Sequence, residues 1–135
     1  MTFLEKLLPA EGLVCVAKAL HPKGFQHFFF EDRQEAADKI ESLDAQGHTV
    51  YLAQATFATN ESRKQVNALL VKNFFLDIDC GEDKPYATQK EAVAAFREVL
   101  IETKLPAPTM INSGNGLYAH WILDAAVPAD QWKTT

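Results

Sequence analysis

FFLDIDCGEDKPY, residues 74–86, carries two carboxylates at the end of what otherwise reads as a buried β-strand. Phe74, Phe75, Leu76 and Ile78 supply the apolar, strand-favouring run, and Gly81 follows it. Side chains alternate along a strand, so Phe75, Asp77 and Asp79 share one face while Phe74, Leu76, Ile78 and Cys80 share the other. The second face is apolar and is expected to meet helices. The first holds two like charges side by side. Ionised carboxylates are costly to take out of water unless a cation or hydrogen-bond donors meet them.

Outward from this strand the pattern is mixed. LVCVAKA (13–19) and FQHFFF (25–30) read as strands joined by the turn HPKG (21–24). Ala36, Ala37, Ile40 and Leu43 recur at helical spacing between Asp32 and Gln46, and Gly47 is placed to end that helix. HTVYLAQATF (48–57) is a further strand, and a short helix is expected around Arg63–Leu70. Thr88 and Glu91 form a T-x-x-E capping box opening a helix to about Lys104, which LPAP stops. TMINS (109–113) and LYAHWIL (117–123) are strands joined by Gly114-Asn115-Gly116, a hairpin signal. PADQW begins a last helix. The order predicts an α+β fold with a largely antiparallel sheet.

The 135 residues suffice for one domain with a real core, and 47% apolar with 23% charged is ordinary for a globular chain. No apolar run approaches a membrane span, and Lys6 interrupts LEKLL too early for a signal peptide. Cys15 and Cys80 are too distant in sequence to suggest a metal knuckle, so free thiols in a reduced, cytoplasmic setting are expected. The net charge of −5 argues against a generic DNA-coating protein but leaves room for a local basic groove. Residues 1–70 carry 7 Lys and Arg against 9 Asp and Glu, and residues 71–135 carry 6 against 9. Charge therefore favours neither half.

Hard divalent cations are the natural partners of Asp77 and Asp79. Mg²⁺ takes one or two carboxylates together with water and substrate phosphates, and paired ions can activate a hydroxyl and hold a leaving pyrophosphate. The plain alternative is a polar loop continuing through Gly81, Glu82 and Asp83. By itself D-x-D is shared by several metal-dependent phosphate chemistries.

INSGNGLYAHW (111–121) is the second constellation. A turn with two glycines can offer backbone N–H groups to phosphate oxygens. Ser113 precedes it, and Tyr118 and His120 follow on one strand face. A plain hairpin with aromatic packing would have the same sequence. One helix separates this turn from the carboxylates, and a strand–helix–strand unit would bring Ser113 near Asp77 and Asp79. Metal-binding carboxylates beside triphosphate donors make a nucleotidyl-transfer site.

The combination of FFLDIDCG, KPY, LPAPTMINSGNGLYAHWIL and a Trp-bearing helix resembles the archaeo-eukaryotic primase superfamily, above all the primase-polymerase domains of phages and plasmids. The likeness runs from about Val50 to Trp132; residues 1–49 agree only in element order. It implies an RRM-like palm and a DNA primase or polymerase activity. Asp77 and Asp79 match the family's metal motif, taking Mg²⁺ or Mn²⁺, and Ser113, Gly114 and Gly116, with Asn115 between them, match its nucleotide motif. It further implies template DNA and nucleoside triphosphates as partners, with a replicative helicase as a further one. It also implies a cytoplasmic location, the host's if the chain is phage-encoded.

Two features depart from the family pattern. Its histidine position holds Tyr118, with a histidine two places on at His120, which is expected to supply a charged phosphate contact. Its third acid lies beyond Asp124 and Asp130, which fall in a turn and a helix start. The chain is therefore expected to be the front part of a single longer catalytic domain, inactive alone, with Trp132 short of packing partners. The family also suggests Arg63 as a nucleotide or template contact, and Lys84 borders the metal loop within reach of phosphate. Phe28, Phe29 and Phe30 are read as core.

Two rivals stand beside this reading. A haloacid dehalogenase-type phosphatase also sets D-x-D after a hydrophobic strand, but on a parallel sheet and without a hairpin next. A non-catalytic nucleic-acid-binding relative would keep the sheet and lose the chemistry.

Overall fold

The computed structural model describes residues 3–134. The elements are α1 (Phe3–Leu7), β1 (Leu13–Ala19), β2 (Phe25–Phe30), α2 (Arg33–Ala45), β3 (Val50–Phe57), β4 (Ala68–Asp79), α3 (Gln89–Thr103), β5 (Thr109–Asn112) and β6 (Gly116–Pro128). Short 3₁₀ segments occupy Gln65–Asn67 and Ala129–Thr134. The strands form one sheet in the order β2-β1-β3-β4-β6-β5, antiparallel in its described pairings. The fold is α+β, as the element order predicts.

Two compact units share these elements. The first takes the residues up to Lys72 together with those from Asp124 on, and the second takes Asn73–Leu123. In the first, β1 is the central strand. It pairs with β2 (Cys15 opposite Phe29, Ala17 opposite His27) and with β3 (Ala17 opposite Tyr51). Val14, Cys15, Val16 and Ala17 are almost fully buried, joined in the core by Leu7, Leu8, Ala36 and Leu43. Burial pushes the Cys15 thiol up to about 11, against the opposing pull of the Arg63 cation. That thiol is an apolar packing group.

α2 starts where the sequence says it should. The Asp32 carboxylate accepts from the N–H groups of Gln34 (2.7 Å) and Glu35 (3.1 Å), meeting two of the donors a helix start leaves open. Next to it, the Arg33 guanidinium donates to the carbonyls of Pro9, Gly12 and Glu31, tying the chain after α1 to this helix. α1 itself carries no sequence signal strong enough to be anticipated; Leu4 and Leu7 form it by burial.

The second unit is built on the latter part of β4, with α3, β5 and most of β6. Thr88 Oγ1 accepts from the Glu91 N–H at 3.2 Å, and the Glu91 carboxylate accepts from the Ala87 N–H at 3.1 Å. This is the reciprocal logic of the capping box, displaced by one residue at its second bond. Lys104 ends α3 in the left-handed region, φ 58°.

Three expectations require correction. No α-helix spans Arg63–Leu70: a single 3₁₀ turn covers Gln65–Asn67, and Ala68–Val71 already pair with β3. Ladder pairing overrides the weak local helical preference there. PADQW forms a 3₁₀ segment, since β6 runs on through Pro128. β5 is an edge strand separated from β4 by β6, so the expected strand–helix–strand neighbours are not adjacent.

Candidate metal and triphosphate site

β4 ends at Asp79, and exposure does not strictly alternate along its last residues, Phe75, Leu76 and Asp77 being exposed in succession. Phe75, Asp77 and Asp79 are exposed, and Ile78 is half-buried. Ile78, Pro85, Tyr86 and Phe96 line a recess of about 490 Å³ whose rim includes Asp77 and Asp79. α3 therefore meets the apolar face, through Ala92 and Phe96, although Leu76 stays 44% exposed.

The loop after the strand returns quickly. Gly81 N–H donates to the Tyr86 carbonyl (3.0 Å), Lys84 N–H donates to the Gly81 carbonyl (3.2 Å), and Cys80 bridges Tyr86. This closure brings the Lys84 ammonium 3.7 Å from Asp79 Oδ2. Both groups are exposed, so the ion pair contributes little to stability. Its interest is electrostatic: a cation stands beside a carboxylate that has a second carboxylate as its strand-face neighbour.

The hairpin turn docks directly onto this strand end. Cys80 N–H donates to the Asn115 carbonyl at 3.0 Å. Gly116 lies so close that a Cβ there would sit 2.2 Å from the Ile78 carbonyl oxygen and 3.1 Å from Asp79 Cα. Only glycine permits that approach. Contact is made through the start of β6, rather than through β5 as the sequence argument supposed.

Inside the turn, Ser113 N–H donates to the Gly116 carbonyl (3.0 Å), and Gly114, at φ +95°, donates its N–H to Asn112 Oδ1 (2.8 Å). Gln89, the first residue of α3, donates through Nε2 to both Asn112 Oδ1 (2.8 Å) and the Gly116 carbonyl (3.1 Å). One side chain thus fixes the turn to the helix start. Two of the turn's N–H groups, those of Ser113 and Gly114, are engaged internally and cannot also serve an anion.

His120 is corrected by the structure. It is 4% exposed, and its Nδ1 lies 3.1 Å from Oδ1 of the equally buried Asn73. An amide oxygen only accepts, so Nδ1 carries the ring's proton. Burial lowers the His120 pKa below its ordinary 6.5 and favours the neutral ring. Phe75 and Tyr118 flank it, with ring centres at 6.1 and 6.3 Å. A buried neutral imidazole among aromatic rings offers no charged contact to phosphate. Tyr118, 37% exposed, is the member of the pair that reaches the surface.

The other candidates separate. Ser113, Gly114 and Asn115 are exposed at the turn. Arg63 belongs to the first unit, where its guanidinium lies 5.1 Å from the Phe25 ring centre. Among the described residues no group of three or more His, Cys, Asp or Glu side chains could hold a metal ion. Asp77 and Asp79 are exposed and lie on one face of the strand.

Asn73, Gln89 and Asn112 were missed by sequence reasoning. Asn73 left a faint signal, a lone amide directly before the apolar run Phe74–Leu76. Gln89 and Asn112 left none, since their roles depend on a helix start meeting a hairpin. No family model, curated protein or solved structure matches the chain.

Proposed function

We propose that this chain carries the metal- and triphosphate-binding part of a DNA primase-polymerase, a nucleotidyltransferase that extends a strand on template DNA from nucleoside triphosphates. The single observation behind this reading is the joint of the Ser113–Gly116 turn and the end of β4, the Cys80–Asn115 hydrogen bond and the close Gly116 approach. The turn thereby lies against a strand end bearing two exposed carboxylates.

Asp77 and Asp79 would hold Mg²⁺ or Mn²⁺, which when bound lowers the barrier to attack by a hydroxyl on the α-phosphorus and neutralises the pyrophosphate. The residues of the chain do the positioning. Ser113 offers a hydroxyl to the triphosphate, and Asn115 stands at the turn's tip, beyond the two N–H groups already engaged. Lys84, now beside Asp79, is within reach of a phosphate and would exchange its carboxylate partner for one. Tyr118 contributes a neutral hydroxyl and a ring. Gln89 keeps the turn's shape. A replicative helicase would be the further partner of such an enzyme. The antiparallel sheet does not match the parallel sheet that a haloacid dehalogenase-type phosphatase uses.

The test is binding of a fluorescent nucleoside triphosphate to the 135-residue chain. Binding should require Mn²⁺ or Mg²⁺, vanish in EDTA, and weaken at least about tenfold in Asp77→Asn and in Asp79→Asn, the loss of one charge-assisted interaction. Metal-independent binding, or binding equal to wild type in both variants, would overturn the proposal.

A further inference from the structure

β2 is an edge strand: among the described residues, β1 pairs with one side of it and no strand pairs with the other. Such an edge is a template for a further strand, and proteins usually blunt it with charge, proline, a bulge or brevity. The β5 edge is blunted, since it spans four residues and follows Pro106 and Pro108. β2 is not. Its six residues, FQHFFF, include no charged residue and no proline, and its register with β1 runs from Phe25 to Phe30 without a shift.

The ladder shows which backbone groups face outward. Leu20 N–H donates to the Gly24 carbonyl (2.9 Å), whereas Ala19, opposite Phe25, turns its N–H away from β2 to the Thr49 carbonyl (3.0 Å). Bonded and non-bonded pairs alternate along an antiparallel ladder, so Gln26, Phe28 and Phe30 bond to β1. Phe25, His27 and Phe29 therefore direct their N–H and C=O groups outward. Their side chains share one face, and Lys39 of α2 lies over Phe28 on the other, 4.3 Å from its ring centre.

A second copy of β2, antiparallel about a two-fold axis at His27, matches this edge. His27 then meets its own equivalent, and Phe25 of each copy meets Phe29 of the other. All three outward residues of each copy exchange both of their hydrogen bonds. The flanking charges agree, because the same register sets Lys23 of each copy level with Glu31 of the other. Moving the axis to Phe28 would set Lys23 level with Arg33 and carry Phe25 past the strand's end; moving it to Gln26 would face Lys23 with Phe29. Arg63, 5.1 Å from the Phe25 ring centre, stays clear of its own equivalent, since the two Phe25 residues lie four positions apart along the paired strands, about 14 Å.

We propose that the chain forms a two-fold dimer through β2, with Phe25 of each copy paired with Phe29 of the other and Lys23 with Glu31. A single strand pair buries less than the roughly 1,600 Å² of a standard interface, so the dimer is weak and reversible. The inference stands apart from the metal reading, because it requires neither Asp77, Asp79 nor a cation.

The experiment is sedimentation velocity on the whole chain in EDTA over a range of concentrations, with amide exchange followed by NMR at the lowest and highest. A reversible monomer–dimer equilibrium is expected. The Phe25, His27 and Phe29 amides should gain protection with concentration, while those of Gln26, Phe28 and Phe30 are protected throughout. His27→Lys sets like charges directly opposite each other at the axis and should abolish the dimer. Continued protection of Gln26, Phe28 and Phe30 in that variant shows that β2 still folds onto β1. Lys23→Glu and Glu31→Lys should each weaken dimerisation roughly tenfold, two cross-strand charge pairs having turned repulsive, and the double exchange should restore it. A chain that stays monomeric at every concentration, oligomers larger than a dimer, a dimer that His27→Lys leaves intact, or a double exchange no tighter than the single variants would each overturn the proposal.

Discussion

Gly116→Ala is the sharpest perturbation of the joint between the hairpin and the end of β4. The new Cβ would stand 2.2 Å from the Ile78 carbonyl oxygen and 3.1 Å from both the Ile78 carbonyl carbon and Asp79 Cα. Carbon and oxygen settle at about 3.3 Å, so the turn and strand must part by about 1 Å. All three obstructing atoms are backbone and cannot swing aside. Overpacking of this kind costs about 1–3 kcal/mol. Separation also stretches the 3.0 Å Cys80–Asn115 hydrogen bond, a net loss of about 1 kcal/mol. A smaller unfolded-state entropy of about 0.4–1 kcal/mol for alanine offsets part of this. The expected destabilisation is about 2–3 kcal/mol, or roughly 8–12 °C in Tm for a chain of this size.

Gly114→Ala is the matched control. Its φ of +95° strains an alanine, but no atom lies within 4 Å of the added Cβ, so about 1 kcal/mol is expected. Thermal and urea melts of both variants, with hydrogen exchange at the Cys80 amide, make the comparison. Gly116→Ala should melt lower than Gly114→Ala and expose the Cys80 amide to faster exchange. A Gly116→Ala variant as stable as wild type, or more stable than Gly114→Ala, would refute the steric reasoning.

Three further outcomes are expected. The Thr56 hydroxyl is fully buried without a hydrogen-bond partner among the described residues, so Thr56→Val should raise stability by about 1 kcal/mol in urea melts; a loss of that size would reveal a bonded hydroxyl. His120 has a folded pKa below its ordinary 6.5, so the unfolded state takes up the proton first. Stability should fall as pH drops from about 7 to about 5, and the fall should be shallower in His120→Gln, with His27 supplying a remainder of the same sign. An equally steep fall in the variant would place the titration elsewhere. Gln89→Ala removes two donors from the turn and should speed exchange of the Gly114 amide and weaken triphosphate binding, the second effect being absent if the turn does not hold the anion.

Local chemistry was legible in the sequence and long-range chemistry was not. Thr88 announced its helix because a cap is a contact between residues three apart, and α2 showed itself through apolar residues at helical spacing. Asp77 and Asp79 stood out because period-two alternation fixes their face without any tertiary knowledge. Arg63–Leu70 was misjudged because the pairing of Ala68–Val71 with β3 is not encoded within that segment. The same limit applies to His120. Its sequence neighbours allow either an exposed cation or a buried neutral ring, and Asn73, forty-seven positions earlier, decides between them. The insertion of β6 between β4 and β5 is likewise a property of the whole sheet.

Manganese uptake by electron paramagnetic resonance tests the central claim most directly. Mn²⁺ is titrated into the chain with a nucleoside triphosphate present, and the loss of the free-ion signal is compared with triphosphate alone. Wild type should take up Mn²⁺ beyond what the nucleotide binds, and the double variant Asp77→Asn, Asp79→Asn should not. Equal uptake by the two proteins, or none by wild type, would contradict the assignment of these carboxylates to a metal.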